Sequence, residues 1–174
     1  KVACHLGHLD ILKRFLTQSK DFALIFEDDL EPGAASLRQE LDSFLSQVPK
    51  DFDLLHLGFV RENRDARRPI AGQNCSVFRS VEALGRHAYV VTKKVAELLV
   101  EHTLPMHNHG DKMFQEVYQR FHLKAYQPEE PLFFQDRINF ESELTERWKP
   151  SRAFQPTADD DGIRSSDRPE MLRR

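Results

Sequence analysis

A short apolar run that ends in acidic residues constrains the fold of this chain more than any other stretch. Phe22–Phe26 is rich in aromatic and β-branched residues and contains neither Gly nor Pro, which predicts a β-strand. Three carboxylates follow it directly, those of Glu27, Asp28 and Asp29, and Glu31-Pro32-Gly33 then predicts a turn. Ligands of open α/β sheets bind outside the carboxyl ends of the strands. The stretch therefore predicts a strand-end site for a cation or a polar ligand.

Helical and strand patterns alternate along the rest of the chain. Apolar residues at three- and four-residue steps predict helices over residues 2–16, 34–48, 93–104 and 112–122. Asp111 is expected to be the N-cap of the last helix. Apolar runs predict strands over residues 53–60, 76–79, 87–92 and 123–126, and an extended segment follows to Asp136. This alternation predicts an α/β fold in which helices flank a mixed sheet, over residues 1–148, followed by a polar tail over residues 149–174.

Composition excludes several classes of protein. A chain of 174 residues with 30% charged and 40% hydrophobic residues is typical of one globular domain. The net charge of −3 gives no reason to expect nucleic acid or an anionic membrane as a partner. No apolar run reaches the roughly 18 residues that a membrane-spanning helix needs. Two cysteines, Cys4 and Cys75, are too few for a disulfide framework or an all-cysteine zinc site.

The carboxylates at the strand end suit a hard divalent cation, Mg²⁺ or Mn²⁺. Side chains alternate along an extended chain, so Glu27 and Asp29 are expected to share a face while Asp28 points to the opposite one. Mg²⁺ keeps few protein carboxylates and takes substrate phosphate, which makes a diphosphate the natural co-ligand. The alternative is a solvated turn whose acidic residues stabilise the start of the following helix.

Other polar residues allow two interpretations each. His5 and His8 are expected on the inner side of the first helix, either as core histidines or as part of a site. The arginine-rich loop over residues 61–68 could bind a phosphate or could be a solvated loop. Gly58, near the end of a predicted strand, would allow close approach of another group to the backbone.

Two stretches resemble the paired signatures of glycosyltransferase family 25, which contains lipooligosaccharide and procollagen galactosyltransferases. They are Ala-Cys-His-Leu-Gly-His-Leu over residues 3–9 and Ala-Leu-Ile-Phe-Glu-Asp-Asp over residues 23–29. Further matches follow in the same order, at residues 53–58, 85–92, 111 and 135–136. The resemblance covers approximately residues 2–136, and Gly7 stands where the family usually has Ser.

The resemblance implies a GT-A fold, a Rossmann-type sheet that holds a metal-bound nucleotide sugar at its strand ends. It implies that Asp29, with Glu27 or Asp28, binds Mn²⁺ or Mg²⁺ bridging the diphosphate of UDP-galactose or a similar UDP-sugar. His8, Gly58 and Asp28 would contact the donor or orient the acidic strand. Asp111 would be the base that deprotonates the acceptor hydroxyl, unless it is only an N-cap. His109 and Asp136 are reserve contacts for the metal or the acceptor.

The implied function is metal-dependent transfer of a hexose, with galactose expected, to a glycan or a hydroxylysine-type hydroxyl. The compartment stays open between the bacterial cytoplasm and the lumen of the eukaryotic ER or Golgi. The family's first strand is expected upstream of Lys1, which leaves an inactive homologue or a module that binds sugar nucleotides or glycans as the alternative. A metal-dependent phosphohydrolase is favoured less, because no second acidic cluster follows another predicted strand.

Overall fold

The computed structural model describes residues 2–33, 35–60, 68–69, 77–81 and 83–136. A compact unit spans Lys1–Gln135, and Asp136 opens a second unit of which no other residue is described. The predicted polar tail and nearly all of the arginine-rich loop therefore lie outside the described residues. Within these ranges, no helix combines the length and the apolar character that crossing a bilayer requires.

Four helices lie within the described ranges, and each follows the apolar period of its sequence: α1 Val2–Leu16, α2 Leu37–Gln47, α3 Lys93–His102 and α4 Gly110–Arg120. The predicted helices are confirmed to within a few residues at their ends. The prediction of Asp111 as an N-cap is wrong, since His109 occupies that position. Asp111 lies in the first turn instead, where its carboxylate accepts a hydrogen bond from Arg86.

The strands of the described residues form two sheets. Their bounds are β1 Phe22–Phe26, β2 Leu30–Pro32, β3 Leu54–Gly58, β4 Arg68–Pro69, β5 Val77–Arg79, β6 Ala88–Thr92, β7 Ala125–Pro128 and β8 Phe133–Gln135. A six-stranded sheet has the order β1-β6-β3-β7-β5-β4, and β2 pairs with β8 in a separate two-stranded sheet. In the large sheet β3 and β7 are parallel and the other neighbours are antiparallel. The mixed sheet with flanking helices confirms the α/β class, while the GT-A assignment stays a prediction.

The segment after the acidic residues corrects the predicted turn. Leu30–Pro32 is strand β2, antiparallel to β8, with Leu30 opposite Gln135 and Pro32 opposite Phe133. The chain turns earlier, at Asp28 and Asp29. The sequence favoured a turn because Pro and Gly follow Glu31, but pairing with a strand about a hundred residues away outweighs that local preference. This pairing brings Gln135 to the acidic end of β1.

Two hydrophobic clusters cover the two faces of the large sheet. One contains side chains of α1, α3 and α4 with Leu54 and Val91, and the other contains Phe44 of α2 with Leu55 and Leu57. Neighbouring residues of β3 enter opposite clusters, as strand alternation requires. β1 lies at the sheet edge and is not buried on both faces: Phe22, Leu24 and Phe26 are about half exposed.

Asp53 joins three elements at the start of β3, and we expect its loss to be costly. Its buried carboxylate accepts hydrogen bonds from the backbone N–H of Lys124 at 2.8 Å and from Lys94 Nζ at 2.9 Å. Asp53→Ala removes the acceptor of the partly buried Lys124 N–H and the partner of Lys94, so we expect the free energy of unfolding in urea to fall by about 1–2 kcal/mol. Asp51→Ala is the control, because Asp51 forms only an exposed ion pair with Lys124. Equal losses in the two variants would contradict this role of Asp53.

Candidate functional site

Glu27 is the centre of the acidic strand end. It directly follows β1, and its backbone N–H donates to the carbonyl of His87 at 2.9 Å. Its Oε1 accepts hydrogen bonds from His8 Nε2 at 3.0 Å and from the Cys4 thiol at 3.7 Å, and its Oε2 accepts from Gln135 Nε2 at 3.1 Å. Glu27 therefore links α1 to β8 across the end of β1.

Both histidines of α1 are buried, as predicted, but they have different surroundings. His5 Nε2 donates to the carbonyl of Thr103 at 3.1 Å, and burial is the main cause that lowers the pKa of His5. His8 lies between Glu27 and the hydroxyl of Tyr89, which is 3.0 Å from His8 Nδ1. The core-histidine interpretation thus describes His5, whereas His8 orients the acidic strand end.

Asp29 holds an oxygen that lacks a partner. Its Oδ2 accepts a hydrogen bond from Gln135 Nε2 at 3.1 Å, so one amide group joins Asp29 to Glu27. Its Oδ1 is buried and has no hydrogen-bond partner among the described residues. A buried polar atom without a protein partner is uncommon, and a water molecule or a bound ion can satisfy it. Two converging carboxylates with such an oxygen fit a hard divalent cation.

The environment shifts the pKa values of Glu27 and Asp29 in opposite directions. The hydrogen bond from His8 is the largest cause that lowers the pKa of Glu27. Burial, followed by the negative charge of Glu27, raises the pKa of Asp29. Titratable groups driven apart in this way are characteristic of functional sites, although structural networks produce the same pattern. A positive charge near Asp29 would therefore favour the ionised form of its carboxyl group.

Asp28 lies apart from this pair. The structure brings Glu27 and Asp29 together on Gln135, while Asp28 is exposed in the turn between them. Because Asp28 and Asp29 form a turn, the turn rather than alternation along an extended chain separates Asp28 from the pair. A contact between Asp28 and a donor stays a prediction.

Arg86 is a residue that the sequence reasoning did not single out. Its buried guanidinium donates to Asp111 Oδ1 at 2.8 Å and to His5 Nδ1 at 3.3 Å, and it lies 4.8 Å from the centre of the Phe114 ring. Gly110 makes room for it, because a Cβ there would be 2.5 Å from Arg86 Nη2. In the sequence, the only feature that pointed to Arg86 was its position beside a strand that matches the family. Arginine is usually exposed, so its burial was not predicted.

Arg86 also connects Asp111 to the acidic strand end. Its Nη2 lies 3.7 Å from Cys4 Sγ, and the Cys4 thiol donates to Glu27. Burial raises the pKa of this thiol, which agrees with its role as a donor. The side chain of Asp111 is 37% exposed, so solvent reaches it. Side-chain contacts thus run without a break from Asp29 through Glu27 and Arg86 to Asp111.

The remaining predicted residues have other surroundings. A Cβ on Gly58 would lie 2.4 Å from the His87 ring and 2.9 Å from the carbonyl of Phe133, so the close approach at Gly58 comes from the protein itself. A contact of Gly58 with the donor stays a prediction. His109 is exposed at the N-cap of α4. A surface groove of about 470 Å³ beside α2 and the β7–β8 connection contains none of the candidate residues.

We expect Asp29→Asn to stabilise the metal-free protein near pH 7. Because the folded-state pKa of Asp29 is raised, the folded state favours the protonated carboxyl, and this contribution is lost as the pH rises through the folded pKa. Asn removes the charge and can still accept the hydrogen bond from Gln135. Urea unfolding should therefore show a gain in stability near pH 7 that disappears by about pH 3.

Asp28→Asn, at the exposed neighbouring position, should leave the free energy of unfolding nearly unchanged at both pH values. A loss of stability in Asp29→Asn at neutral pH would contradict the expectation that the charge of Asp29 is unfavourable in the folded, metal-free protein.

No protein-family model matches the chain, and no curated protein matches it. The assignment to glycosyltransferase family 25 rests on the motifs described above and stays a prediction.

Proposed function

We propose that this protein is a metal-dependent hexosyltransferase that uses a UDP-sugar as donor and a glycan or protein hydroxyl as acceptor. The observation that carries the proposal is the buried Asp29 Oδ1, which has no partner among the described residues and lies beside Glu27 at the end of β1. Resemblance to glycosyltransferase family 25 supports the choice of reaction.

Glu27 and Asp29 are the residues that would hold Mn²⁺ or Mg²⁺. When bound, the cation would offset the negative charge that develops on a departing diphosphate. His8 keeps Glu27 ionised and oriented through its hydrogen bond, and Gln135 holds the second oxygen of each carboxylate. The protein thus orients both carboxylates before a ligand arrives, which reduces the cost of binding.

Asp111 is the proposed base. It would take the proton of the acceptor hydroxyl while that oxygen bonds to the anomeric carbon and the bond from this carbon to the diphosphate breaks. The proton then resides on Asp111, and the diphosphate leaves with the bonding electron pair. Arg86 positions this carboxylate through Oδ1, and the exposure of the side chain lets an acceptor approach.

A thermal-shift experiment tests the proposal. Mn²⁺ and UDP-galactose together should raise the melting temperature of the wild-type protein, and Asp29→Asn should remove this shift. Asp42→Asn is the matched control, since Asp42 is an exposed acidic residue on α2. An unchanged melting temperature in the wild type, or a shift that survives in Asp29→Asn, would overturn the proposed metal-dependent donor site.

An inactive homologue is the second candidate, and the hydrogen bonding of Glu27 favours it. Both oxygens of Glu27 already accept hydrogen bonds, which describes a structural network as well as a metal ligand. A protein of this kind would bind UDP-galactose but would neither transfer the sugar nor slowly hydrolyse the donor. Detection of UDP release distinguishes it from the transferase.

A further inference from the structure

We propose that Cys4, His8 and Glu27 form a second metal site, one that selects a borderline-soft cation such as Zn²⁺. The thiol sulfur, a ring nitrogen and a carboxylate oxygen of these residues all lie within 4.8 Å of one another. Sulfur and nitrogen ligands favour Zn²⁺ over Mg²⁺ or Mn²⁺. This site is thus chemically distinct from the all-oxygen pair of Glu27 and Asp29.

The backbone brings the three ligands together. Cys4 and His8 are four positions apart in α1, about one helical turn, so they lie on the same face of the helix. Glu27 reaches them from the end of β1, with Oε1 at 3.0 Å from His8 Nε2 and 3.7 Å from Cys4 Sγ. Zinc bonds of about 2.0–2.3 Å place tetrahedral ligands roughly 3.3–3.8 Å apart. The two separations from Oε1 lie close to this range, and the third, between sulfur and nitrogen, is within 4.8 Å.

Tyr89 supports His8 as a ligand. Zinc-bound histidines almost always use their second ring nitrogen in another hydrogen bond, which fixes the tautomer and the ring orientation. The hydroxyl of the buried Tyr89 lies 3.0 Å from His8 Nδ1. Without the ion, Nε2 carries the proton that it donates to Glu27, and Nδ1 accepts from the Tyr89 hydroxyl. With a metal on Nε2, the proton would be on Nδ1 and would be donated to that hydroxyl, so the two groups are already within hydrogen-bond distance but the direction of the bond would reverse.

The local charges allow a divalent cation here. On binding the cation, Cys4 would release its thiol proton to solvent, and its thiolate and the carboxylate of Glu27 would then carry two negative charges, which balance Zn²⁺. Arg86 approaches Cys4 Sγ to 3.7 Å, but it forms an ion pair with Asp111, so this pair adds no net charge. Cys4 is exposed, which gives the ion a route from solvent and leaves room for water as the fourth ligand.

Glu27 presents different oxygens to the two sites. Its Oε1 faces His8 and Cys4, whereas its Oε2 faces Gln135, which also binds Asp29. The zinc site therefore depends on Cys4 but not on Asp29. This difference separates the test of the zinc site from that of the proposed transferase.

Co²⁺ is the direct probe, because its bond to a thiolate produces a charge-transfer absorption in the near-ultraviolet. Wild-type protein titrated with Co²⁺ under reducing conditions should show this absorption at one equivalent, and Zn²⁺ should displace it. Cys4→Ser should abolish the absorption, and Cys75→Ser, at the other cysteine of the chain, should retain it. Absence of the band in the wild type, or its persistence in Cys4→Ser, would overturn the proposal.

Competition with a chromophoric chelator measures Zn²⁺ affinity in further variants. Tyr89→Phe should weaken Zn²⁺ binding about 10- to 100-fold, because it removes the group that orients His8. Asp29→Asn should retain wild-type affinity for Zn²⁺. Equal loss of Zn²⁺ in Asp29→Asn and Cys4→Ser would mean that one metal site exists, and the separate site would be refuted.

Discussion

Asp111→Asn is expected to lower kcat of sugar transfer by about 10²- to 10⁴-fold, the range over which positioned bases contribute to catalysis. The amide oxygen of Asn can still accept the hydrogen bond that Arg86 Nε donates at 2.8 Å, so the local geometry should persist. What the variant loses is the ability to take a proton. Initial rates of UDP release with a saturating acceptor measure the effect.

Two controls separate loss of the base from loss of the site. Glu116→Gln changes an exposed acid on the same helix, whose partners are His107 and Asn108, and should leave kcat nearly unchanged. The shift of melting temperature with Mn²⁺ and UDP-galactose should be the same in Asp111→Asn as in the wild type. Transfer at the wild-type rate by Asp111→Asn would assign the base to another group.

Arg86→Met is expected to lower the free energy of unfolding by about 2–4 kcal/mol. The substitution keeps much of the side-chain length but removes a buried cation that binds Asp111 and His5 and lies over the ring of Phe114. His5 Nδ1 then loses its donor in the interior, which is the main cost. Because Asp111 is partly exposed, water can solvate it, which keeps the loss below the upper range for buried ion pairs.

Arg120→Met is the matched control for Arg86→Met. Arg120 also lies over an aromatic ring, that of Phe121 at 5.2 Å, but it is exposed at the end of α4. Its loss should cost about 0.5 kcal/mol, as for an exposed cation–π contact. Urea unfolding of both variants measures the difference. Equal and small losses would show that Arg86 does not hold Asp111 and α1 together.

The main elements of the fold could be predicted because their signals are local. Apolar residues at helical spacing marked α1 to α4, and short apolar runs marked β1, β3 and β6. Strand β2 could not be predicted in the same way, since Leu30–Pro32 is extended only through its pairing with β8. The start of α4 was placed wrongly for a related reason: the carboxylate of Asp111 pairs with Arg86 rather than capping the helix.

The candidate site was predictable only in part. The strand end that carries Glu27 and Asp29 follows from hydrophobic pattern alone, whereas the two carboxylates meet through a turn and a shared partner, Gln135. Gln135, which binds both carboxylates, and Arg86, which binds Asp111, come from distant parts of the chain, so no local pattern indicates these contacts. The number of cysteines set aside only an all-cysteine zinc site, and the fold brings Glu27 to Cys4 and His8 of α1.

Direct titration of Mn²⁺ followed by electron paramagnetic resonance tests the central claim, that Glu27 and Asp29 bind a divalent cation together with a UDP-sugar. The signal of free Mn²⁺ should fall by one equivalent per chain in the presence of UDP. Asp29→Asn should abolish this binding, and Asp42→Asn should leave it intact. Failure of the wild type to bind Mn²⁺ with UDP, or unchanged binding in Asp29→Asn, would contradict the claim.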